Sequence, residues 1–196
     1  MRQENFPSAI RRRRTAKYHP RINRQKTKTP NRNKNEEKIR PQTTKALNTI
    51  EINSFLYKAE NYLGVFSSDQ LDRVKIVSFP CFLVINTAPN KQKFGHWLSI
   101  RIDKKSVEIF DSLGLDTKKW GSFPRPLINF LYAFSQHKTI FVSPVLQPRL
   151  SQLCGFYSIF FVLARNLLSF SDILDLFTVD LASNDILLLD LLHTLL

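Results

Sequence analysis

The chain has 196 residues, 43% of them apolar and 12% aromatic, which is enough for one globular domain with a sizeable core. Its 29 Lys and Arg against 16 Asp and Glu give a net charge of +13, and this charge is unevenly placed. The two cysteines exclude a disulfide framework and a zinc site of the usual cysteine spacing, and they favour an intracellular compartment over secretion.

The first 46 residues are a basic arm. They hold 15 Lys and Arg and 3 Asp and Glu, a net charge of +12, whereas residues 47–196 have a net charge of +1. The arm has almost no large apolar residues to bury, so we expect it to be disordered. Dense Lys and Arg neutralise phosphates, and four consecutive arginines suit a nuclear import receptor; the alternative is a solvated arm without a dedicated partner. The residues predicted to bind nucleic acid or an import receptor are Arg11, Arg12, Arg13, Arg14, Arg21, Arg24, Lys26 and Lys28.

The folded domain is predicted to open with a helix and to continue with three strands. Residues 46–63 have apolar positions with a mostly helical period, and residues 81–85 are a short apolar run typical of a buried strand. Two further strands, Trp97–Ile102 and residues 107–110, flank a compact turn. The sequence therefore predicts an antiparallel hairpin after the buried strand.

Two polar residues lie at the open end of this hairpin. His96 precedes its first strand and Asp111 follows its second, and such ends lie side by side in an antiparallel pair, so we expect the two side chains to be in contact. An imidazole is the natural base for a thiol nucleophile, and a carboxylate holds it in one tautomer and stabilises its cation. Asp103, in the hairpin turn, and Asp116, beyond the strand end, are weaker rivals for the acid.

The remaining elements are predicted from apolar runs. Helices are expected at residues 127–134, 154–168 and 186–196, and a strand at Thr139–Val142. The nearly continuous apolar content of residues 154–168 is typical of a helix that passes through the centre of a domain. Core packing is the simpler interpretation of the terminal helix, and a groove for a partner is the alternative. No apolar stretch is long enough to cross a membrane, so no membrane association is expected.

Cys154 is predicted to lie at the N-terminus of the central helix. Unpaired N–H groups and the positive end of the helix dipole favour a thiolate and an oxyanion at that position. The side-chain amide of Gln147 can supply a second oxyanion donor beside the backbone N–H of the nucleophile. Taken singly, Cys154 could be a small core residue, Gln147 could hold a loop and Asp111 could cap a turn. Cys81, inside an apolar strand, is most simply a core residue.

Four residues stand in an order that resembles the adenovirus proteinase (adenain) family. That family includes proteases of Polinton/Maverick elements and is distantly related to the SUMO/ubiquitin-like deconjugating proteases. The four residues are His96, Asp111, Gln147 and Cys154. The motifs that carry the resemblance are His96-Trp97, the seven-residue step from Gln147 to Cys154, Cys154-Gly155, and residues 62–66, 84–88 and 109–114. The resemblance covers about residues 60–170 in one collinear order.

The resemblance implies an α+β, papain-like fold of the adenain type, in which a central helix bearing the nucleophile packs against a mainly antiparallel sheet. It implies Cys154 as nucleophile, His96 as general base and later general acid, and Asp111 as the residue that orients the imidazole. Gln147 is implied as oxyanion donor and Trp97 as a wall of the site. Residues 47–196 would be the cysteine protease domain, and residues 1–46 the disordered basic arm.

Three features depart from the adenain pattern. Asp111 stands where adenain has a glutamate, which keeps the charge on a shorter side chain. Residues 130–146 contain no cysteine, so an activating peptide linked by a disulfide is not supported. The chain ends 42 residues after Cys154, sooner than adenain, and the basic arm is an addition. The chemistry requires no metal and no cofactor, while DNA or an activating peptide stays open as a cofactor.

These patterns lead us to expect a cysteine endopeptidase that cleaves viral or mobile-element capsid-associated precursor proteins during virion maturation. The alternatives are a SUMO/ubiquitin-like deconjugating protease and a catalytically dead, DNA-binding virion protein with the same fold. The expected partners are protein substrates, and DNA bound through the arm. We expect a monomer in the host nucleus and in the virion.

Overall fold

The computed structural model describes residues 45–92, 95–114 and 123–196. Within these ranges the helices are α1 (Thr49–Leu56), α2 (Arg125–Ser135), α3 (Cys154–Ala164), α4 (Phe170–Asp175) and α5 (Leu181–Leu195). The strands are β1 (Tyr62–Ser67), β2 (Cys81–Asn86), β3 (Trp97–Ile102), β4 (Ser106–Phe110) and β5 (Thr139–Val142). A 3-10 helix, Ser68–Arg73, follows β1. The arginines and lysines predicted to bind nucleic acid lie outside the described residues, so the arm and its boundary near residue 46 stay predictions.

The five strands form one sheet in chain order, β1-β2-β3-β4-β5. The pairs β2–β3 and β3–β4 are antiparallel, which confirms the predicted hairpin, but β1–β2 and β4–β5 are parallel. Parallel neighbours need a crossover connection, which the 3-10 helix provides before β2 and α2 provides before β5. The expectation of a mainly antiparallel sheet is therefore wrong, and the architecture is a mixed sheet with helices.

Both faces of the sheet are buried. On β2, Phe82 and Val84 pack with α1, α3 and α5, while Leu83 and Ile85 pack with α2 on the opposite face. Successive strand residues point to opposite faces, so a strand between two helical layers must be apolar at every position. This explains why apolar and polar residues do not alternate in the run of residues 81–85.

Helix α3 passes through the centre of the domain, as predicted. The ring of Phe161 stacks on that of Phe110 in β4, with 4.7 Å between centroids, and Ser99 Oγ of β3 donates to the Ser158 carbonyl oxygen at 3.1 Å. At the far end, the Arg165 guanidinium donates two hydrogen bonds of 2.8 and 2.9 Å to the buried carboxylate of Glu108 in β4. The helix is thus fixed to the strand that leads to Asp111.

Helix α1 and its leading residues cover the beginning of α3. Asn48 caps α1 in a reciprocal capping box with Glu51. A Cβ atom at Gly155 would come within 3.1 Å of the Leu47 Cβ, so glycine allows the chain before α1 to approach the first turn of α3. The Cys154-Gly155 pair therefore has a packing reason as well as a chemical one.

Most predicted elements are confirmed, with corrected ends. The predicted helix of residues 46–63 ends at Leu56, and the chain then turns, with a φ of 59° at Asn61, and enters β1. Helix α3 ends at Ala164 rather than residue 168, and α5 begins at Leu181, five residues before the prediction. The sequence patterns missed β1, the 3-10 helix and α4. In the described residues, no helix is long and apolar enough to cross a membrane.

Candidate active site

The base and the acid meet at the open end of the β3–β4 hairpin. His96 immediately precedes β3 and Asp111 immediately follows β4, and the pairing of Ser99 with Phe110 brings these two ends together. His96 Nε2 lies 2.6 Å from Asp111 Oδ1. The backbone N–H of Leu113 donates to the same oxygen at 3.0 Å. The predicted contact between His96 and Asp111 is confirmed.

Two hydrogen bonds with Thr87, in the loop after β2, hold the backbone of His96. The N–H of His96 donates to Thr87 Oγ1 at 3.1 Å, and the N–H of Thr87 donates to the His96 carbonyl oxygen at 2.8 Å. The second of these bonds extends the β2–β3 pairing by one step beyond the strands. The position of His96 is therefore set by the sheet, and only its side-chain direction is set by Asp111.

His96 is linked to both of its expected partners. Its burial disfavours the imidazolium, but hydrogen bonds to Asp111 and Cys154, together with the negative charge on these two groups, outweigh that effect and raise the pKa of His96 to about 9. Because Nε2 binds Asp111, Nδ1 is left for the thiol of Cys154. The acid and the imidazole are thus in contact, and the thiol contributes to the raised pKa of the imidazole, as the predicted order of acid, base and nucleophile requires.

Cys154 is the first residue of α3, as predicted. It is a free, partly buried cysteine, and the preceding Leu153 makes no side-chain cap at this helix end. The first-turn N–H groups have no such cap, and together with the positive end of the helix dipole they favour negative charge at this helix end. The same N–H groups can donate to an oxyanion formed on a carbonyl carbon bound to Sγ.

Gln147 is buried in the loop that leads to α3, and its amide orientation is fixed from both sides. Ser112 Oγ donates to Gln147 Oε1 at 2.6 Å, and Gln147 Nε2 donates to the Ser151 carbonyl oxygen at 2.8 Å. A side-chain amide has two N–H groups, so the bond to Ser151 uses one of them. The role of oxyanion donor requires the other one and stays a prediction.

The loop of residues 143–153 is tied to its surroundings by side chains. Ser143 Oγ lies 2.8 Å from both the N and the carbonyl oxygen of Asp111. The Leu146 carbonyl oxygen accepts from Tyr157 Oη of α3 at 3.2 Å and from Asn184 Nδ2 of α5 at 2.9 Å. The loop that carries Gln147 is thus held by the acid-bearing segment and by two helices.

Trp97 is largely a core residue. Its side chain is 5% exposed and packs with the layer that contains α3. Its indole Nε1 donates to the Leu47 carbonyl oxygen at 2.9 Å. The contact fixes the chain before α1 beside the start of α3, and the predicted role of Trp97 as a site wall stays a prediction.

The rival residues lie away from this arrangement or outside the described residues. Asp103 is paired with Arg101 at 2.9 Å in the hairpin turn. Cys81 is buried in β2, and this burial raises the pKa of its thiol to about 11, as expected of a core residue. Asp116 lies in the undescribed segment of residues 115–122. The described residues contain no cluster of His, Cys, Asp and Glu that could hold a metal ion.

Sequence reasoning missed the supporting residues of the site. Ser112 and Ser143 are buried polar residues that join the acid-bearing segment to the loop of residues 143–153. Only one signal pointed to Ser112, its position directly after Asp111 in a stretch that resembles the adenain family. Asn184 had no such signal, because its partner in the loop of residues 143–153, the Leu146 carbonyl oxygen, lies 38 positions away in the sequence.

No family model matches the chain. Over 128 residues it is 30% identical to the SUMO-1 cysteine protease of African swine fever virus (isolate Warthog/Namibia) and to the cysteine protease of the Badajoz strain of that virus. These alignments cover 57% of this chain and 45% of each relative, so the chain spans less than half the length of the curated relatives it matches.

Two solved structures are similar over part of their length. The crystal structure of the African swine fever virus protease gives a TM-score of 0.38 at 24% identity and covers 58% of this chain and 46% of that one. A SUMO protease with its catalytic cysteine oxidised to a sulfenic acid gives a TM-score of 0.39 at 18% identity, covering 78% of this chain and 80% of that one.

Proposed function

We propose that this chain contains the catalytic domain of a cysteine peptidase. The observation that carries the proposal is the 2.6 Å contact between the His96 imidazole and the buried Asp111 carboxylate, together with Cys154 at the start of α3, which helps to raise the pKa of His96. A cysteine at a helix N-terminus is by itself an ordinary feature, and so is a histidine at a strand end. A histidine that is bound to a buried carboxylate and linked to such a cysteine is the arrangement of a thiol nucleophile and its base. The names of the curated relatives support the same activity.

Each residue has a proposed role in peptide hydrolysis. His96 takes the proton of the Cys154 thiol, and the thiolate attacks the carbonyl carbon to form a C–S bond. The backbone N–H of Cys154 and the amide of Gln147 would stabilise the oxyanion. When the C–N bond breaks, His96 gives its proton to the leaving nitrogen. A water molecule, deprotonated by His96, then hydrolyses the thioester and restores the thiol.

Two classes of substrate are candidates for this peptidase. The name of one relative, a SUMO-1 cysteine protease, supports a deconjugating protease that acts on SUMO-like adducts. The viral source of both relatives supports the maturation of viral precursor proteins. The name bears on the substrate directly and the source does not, so we place deconjugation first. Turnover of a SUMO–lysine isopeptide adduct, compared with turnover of a viral precursor protein, separates the two.

Substitution of the nucleophile tests the peptidase proposal. We expect Cys154→Ala to abolish both peptide hydrolysis and labelling by a thiol-directed activity probe, with a loss of about 10⁴-fold or more, while the circular dichroism spectrum is unchanged. Cys81→Ala is the matched control, because Cys81 is buried in β2 and should not react with the probe. Undiminished labelling of Cys154→Ala, or an unlabelled wild type, would sink the assignment; the second result would favour the catalytically dead alternative.

The basic arm supports a proposal about location. We propose that residues 1–46 hold the enzyme on DNA or send it to the nucleus, because they carry most of the net charge of the chain. Deletion of residues 1–45 should leave the hydrolysis of a short peptide intact and should weaken DNA binding and its dependence on salt. An arm that is essential for peptide turnover would contradict this division of labour.

A further inference from the structure

The peptide group that joins Leu146 to Gln147 is held at both of its polar ends. Its N–H, which belongs to Gln147, donates to the Ser112 carbonyl oxygen at 2.9 Å. Its carbonyl oxygen, which belongs to Leu146, accepts from Asn184 Nδ2 at 2.9 Å and lies 3.2 Å from Tyr157 Oη. A peptide group is planar, so holding both ends fixes the orientation of the whole group. The Gln147 side chain leaves the chain at the next Cα, and its direction depends on this orientation.

Asn184, which binds the Leu146 carbonyl oxygen from α5, has its amide fixed in one orientation. The residue is completely buried. Its Nδ2 also donates to the Thr178 carbonyl oxygen at 2.9 Å, and its Oδ1 accepts from the Thr178 N–H at 2.8 Å. The reverse orientation would place Oδ1 against two carbonyl oxygens, none of which can donate. The surroundings of the amide therefore direct Nδ2 at Leu146.

Tyr157 of α3 is the weaker of the two donors. It is fully buried, and its hydroxyl lies 3.1 Å from Asp185 Oδ1 as well as 3.2 Å from the Leu146 carbonyl oxygen. A tyrosine hydroxyl has one proton, so Asp185 and Leu146 compete for it. Asn184 has two amide protons, one for each of its two carbonyl partners, and the same competition does not arise.

We propose, on the premise of the function above, that Asn184 and Tyr157 are positioning residues for the oxyanion donor, which fix the peptide group before Gln147 and thereby direct its amide. Both act through Gln147 and not on the substrate. The proposal gives α5 a part in the reaction, although none of the four predicted site residues lies on that helix.

Two reactions of Cys154 separate positioning of the oxyanion donor from general support of the fold. Hydrolysis of a peptide passes through an oxyanion, which the amide of Gln147 would stabilise. Alkylation by iodoacetamide forms a C–S bond and releases iodide without an oxyanion. Loss of a residue that positions Gln147 should therefore lower kcat for hydrolysis and leave KM and the rate of alkylation unchanged. Loss of general support should slow both reactions.

The two variants are compared in the full-length protein. Tyr157→Phe removes one oxygen atom and keeps the buried ring, and its kcat should fall about tenfold because one donor is lost. Asn184→Ala should lower kcat about thirtyfold, because it removes the donor that has no competitor. Tyr62→Phe is the matched control. Its hydroxyl binds Asn53 Oδ1 of α1 at 3.5 Å instead of the loop, so its kcat should equal that of the wild type.

A double-mutant cycle shows whether the two residues act through Gln147. In the Gln147→Ala background, Tyr157→Phe and Asn184→Ala should lower kcat no further. If Asn184→Ala does not fold, as judged by circular dichroism, Tyr157→Phe alone decides.

The outcomes separate this inference from the function on which it rests. Wild-type kcat in Tyr157→Phe, additive losses in the cycle, or equal slowing of hydrolysis and alkylation would overturn the positioning roles while the peptidase stands. A wild type that does not hydrolyse peptides and is not alkylated at Cys154 would contradict the proposed function and the positioning roles with it.

Discussion

The two halves of the candidate site are held by different kinds of interaction. In the sheet half, His96 and Asp111 are placed by the β2–β3 and β3–β4 ladders, and a single side-chain contact of 2.6 Å completes the pair. In the helix and loop half, Gln147 depends on side-chain hydrogen bonds from Ser112 and from residues of α3 and α5 that bind its loop. The backbone fixes the first half, whereas individual side chains fix the second.

Because of this difference, single substitutions in the two halves should have different effects on activity. In the sheet half, removing a side chain should change the charge and protonation of the imidazole while the backbone geometry persists. In the loop half, removing a side chain should change the position of the oxyanion donor. The first kind of change alters the dependence of activity on pH, and the second alters kcat at every pH.

Asp111→Asn should have the largest effect on the sheet half. Loss of the carboxylate removes the charge and the acceptor that hold the His96 imidazole in one tautomer, so kcat/KM should fall by about 10²- to 10⁴-fold. The alkaline limit of the remaining activity should also move to lower pH than in the wild type. The imidazolium of His96, which gives its proton to the leaving nitrogen, loses that proton at lower pH when Asp111 no longer raises the pKa of His96. Steady-state kinetics from pH 6 to pH 10 measure both effects.

Asp103→Asn is the control for this substitution. Asp103 pairs with Arg101 in the hairpin turn and does not contact the imidazole, so its removal should leave both the rate and the pH profile unchanged. Equal losses in the two variants would mean that the hairpin as a whole, rather than the acid at its open end, supports activity.

Gln147→Ala tests the loop half and should have an intermediate effect. Removal of an oxyanion donor typically lowers kcat by about 10²- to 10³-fold with little change in KM. The alkaline limit of the pH profile should stay where it is in the wild type, because Gln147 does not contact His96 in the described contacts. Unchanged kcat would exclude Gln147 as the oxyanion donor and leave its amide as a loop contact only.

Ser112→Ala should have the smallest effect, and it tests whether Ser112 acts through the Gln147 amide. Ser112 donates to Gln147 Oε1, so its loss leaves the amide held from one side, by the bond to Ser151, and kcat should fall about tenfold. Ser112→Ala should then cost nothing further in the Gln147→Ala background, because the positioning residue acts through the amide. Additive losses in this double-mutant cycle would show that Ser112 supports the fold instead.

The same difference explains what could be predicted from the sequence. The contact between His96 and Asp111 followed from two strand ends in an antiparallel pair, and Cys154 at a helix start followed from the apolar run after it. Strand β1 was missed because its residues are mostly half-buried at a sheet edge and it contains Gly64, with a φ of 143°, beside a register shift. No local pattern encodes that kind of edge strand.

The parallel pairings and the loop contacts could not be predicted from the sequence for a related reason. Which strand lies beside β5 depends on the path of α2, and periodicity does not carry that information. Asn184 binds the Leu146 carbonyl oxygen 38 positions away, and Ser112 binds Gln147 35 positions away. Such contacts are specified by the folded core as a whole, so only the residue types, and not their partners, can be read in advance.

The titration of His96 shows directly whether one imidazole is coupled to both Asp111 and Cys154. Its Cε1 proton resonance, assigned by its absence in His96→Ala, should titrate near pH 9 in the wild type and in Asp103→Asn. It should titrate at lower pH in Asp111→Asn and in Cys154→Ala, because each substitution removes one group that raises the pKa. A wild-type midpoint near the ordinary histidine value of about 6.5, unmoved by either substitution, would contradict the coupling.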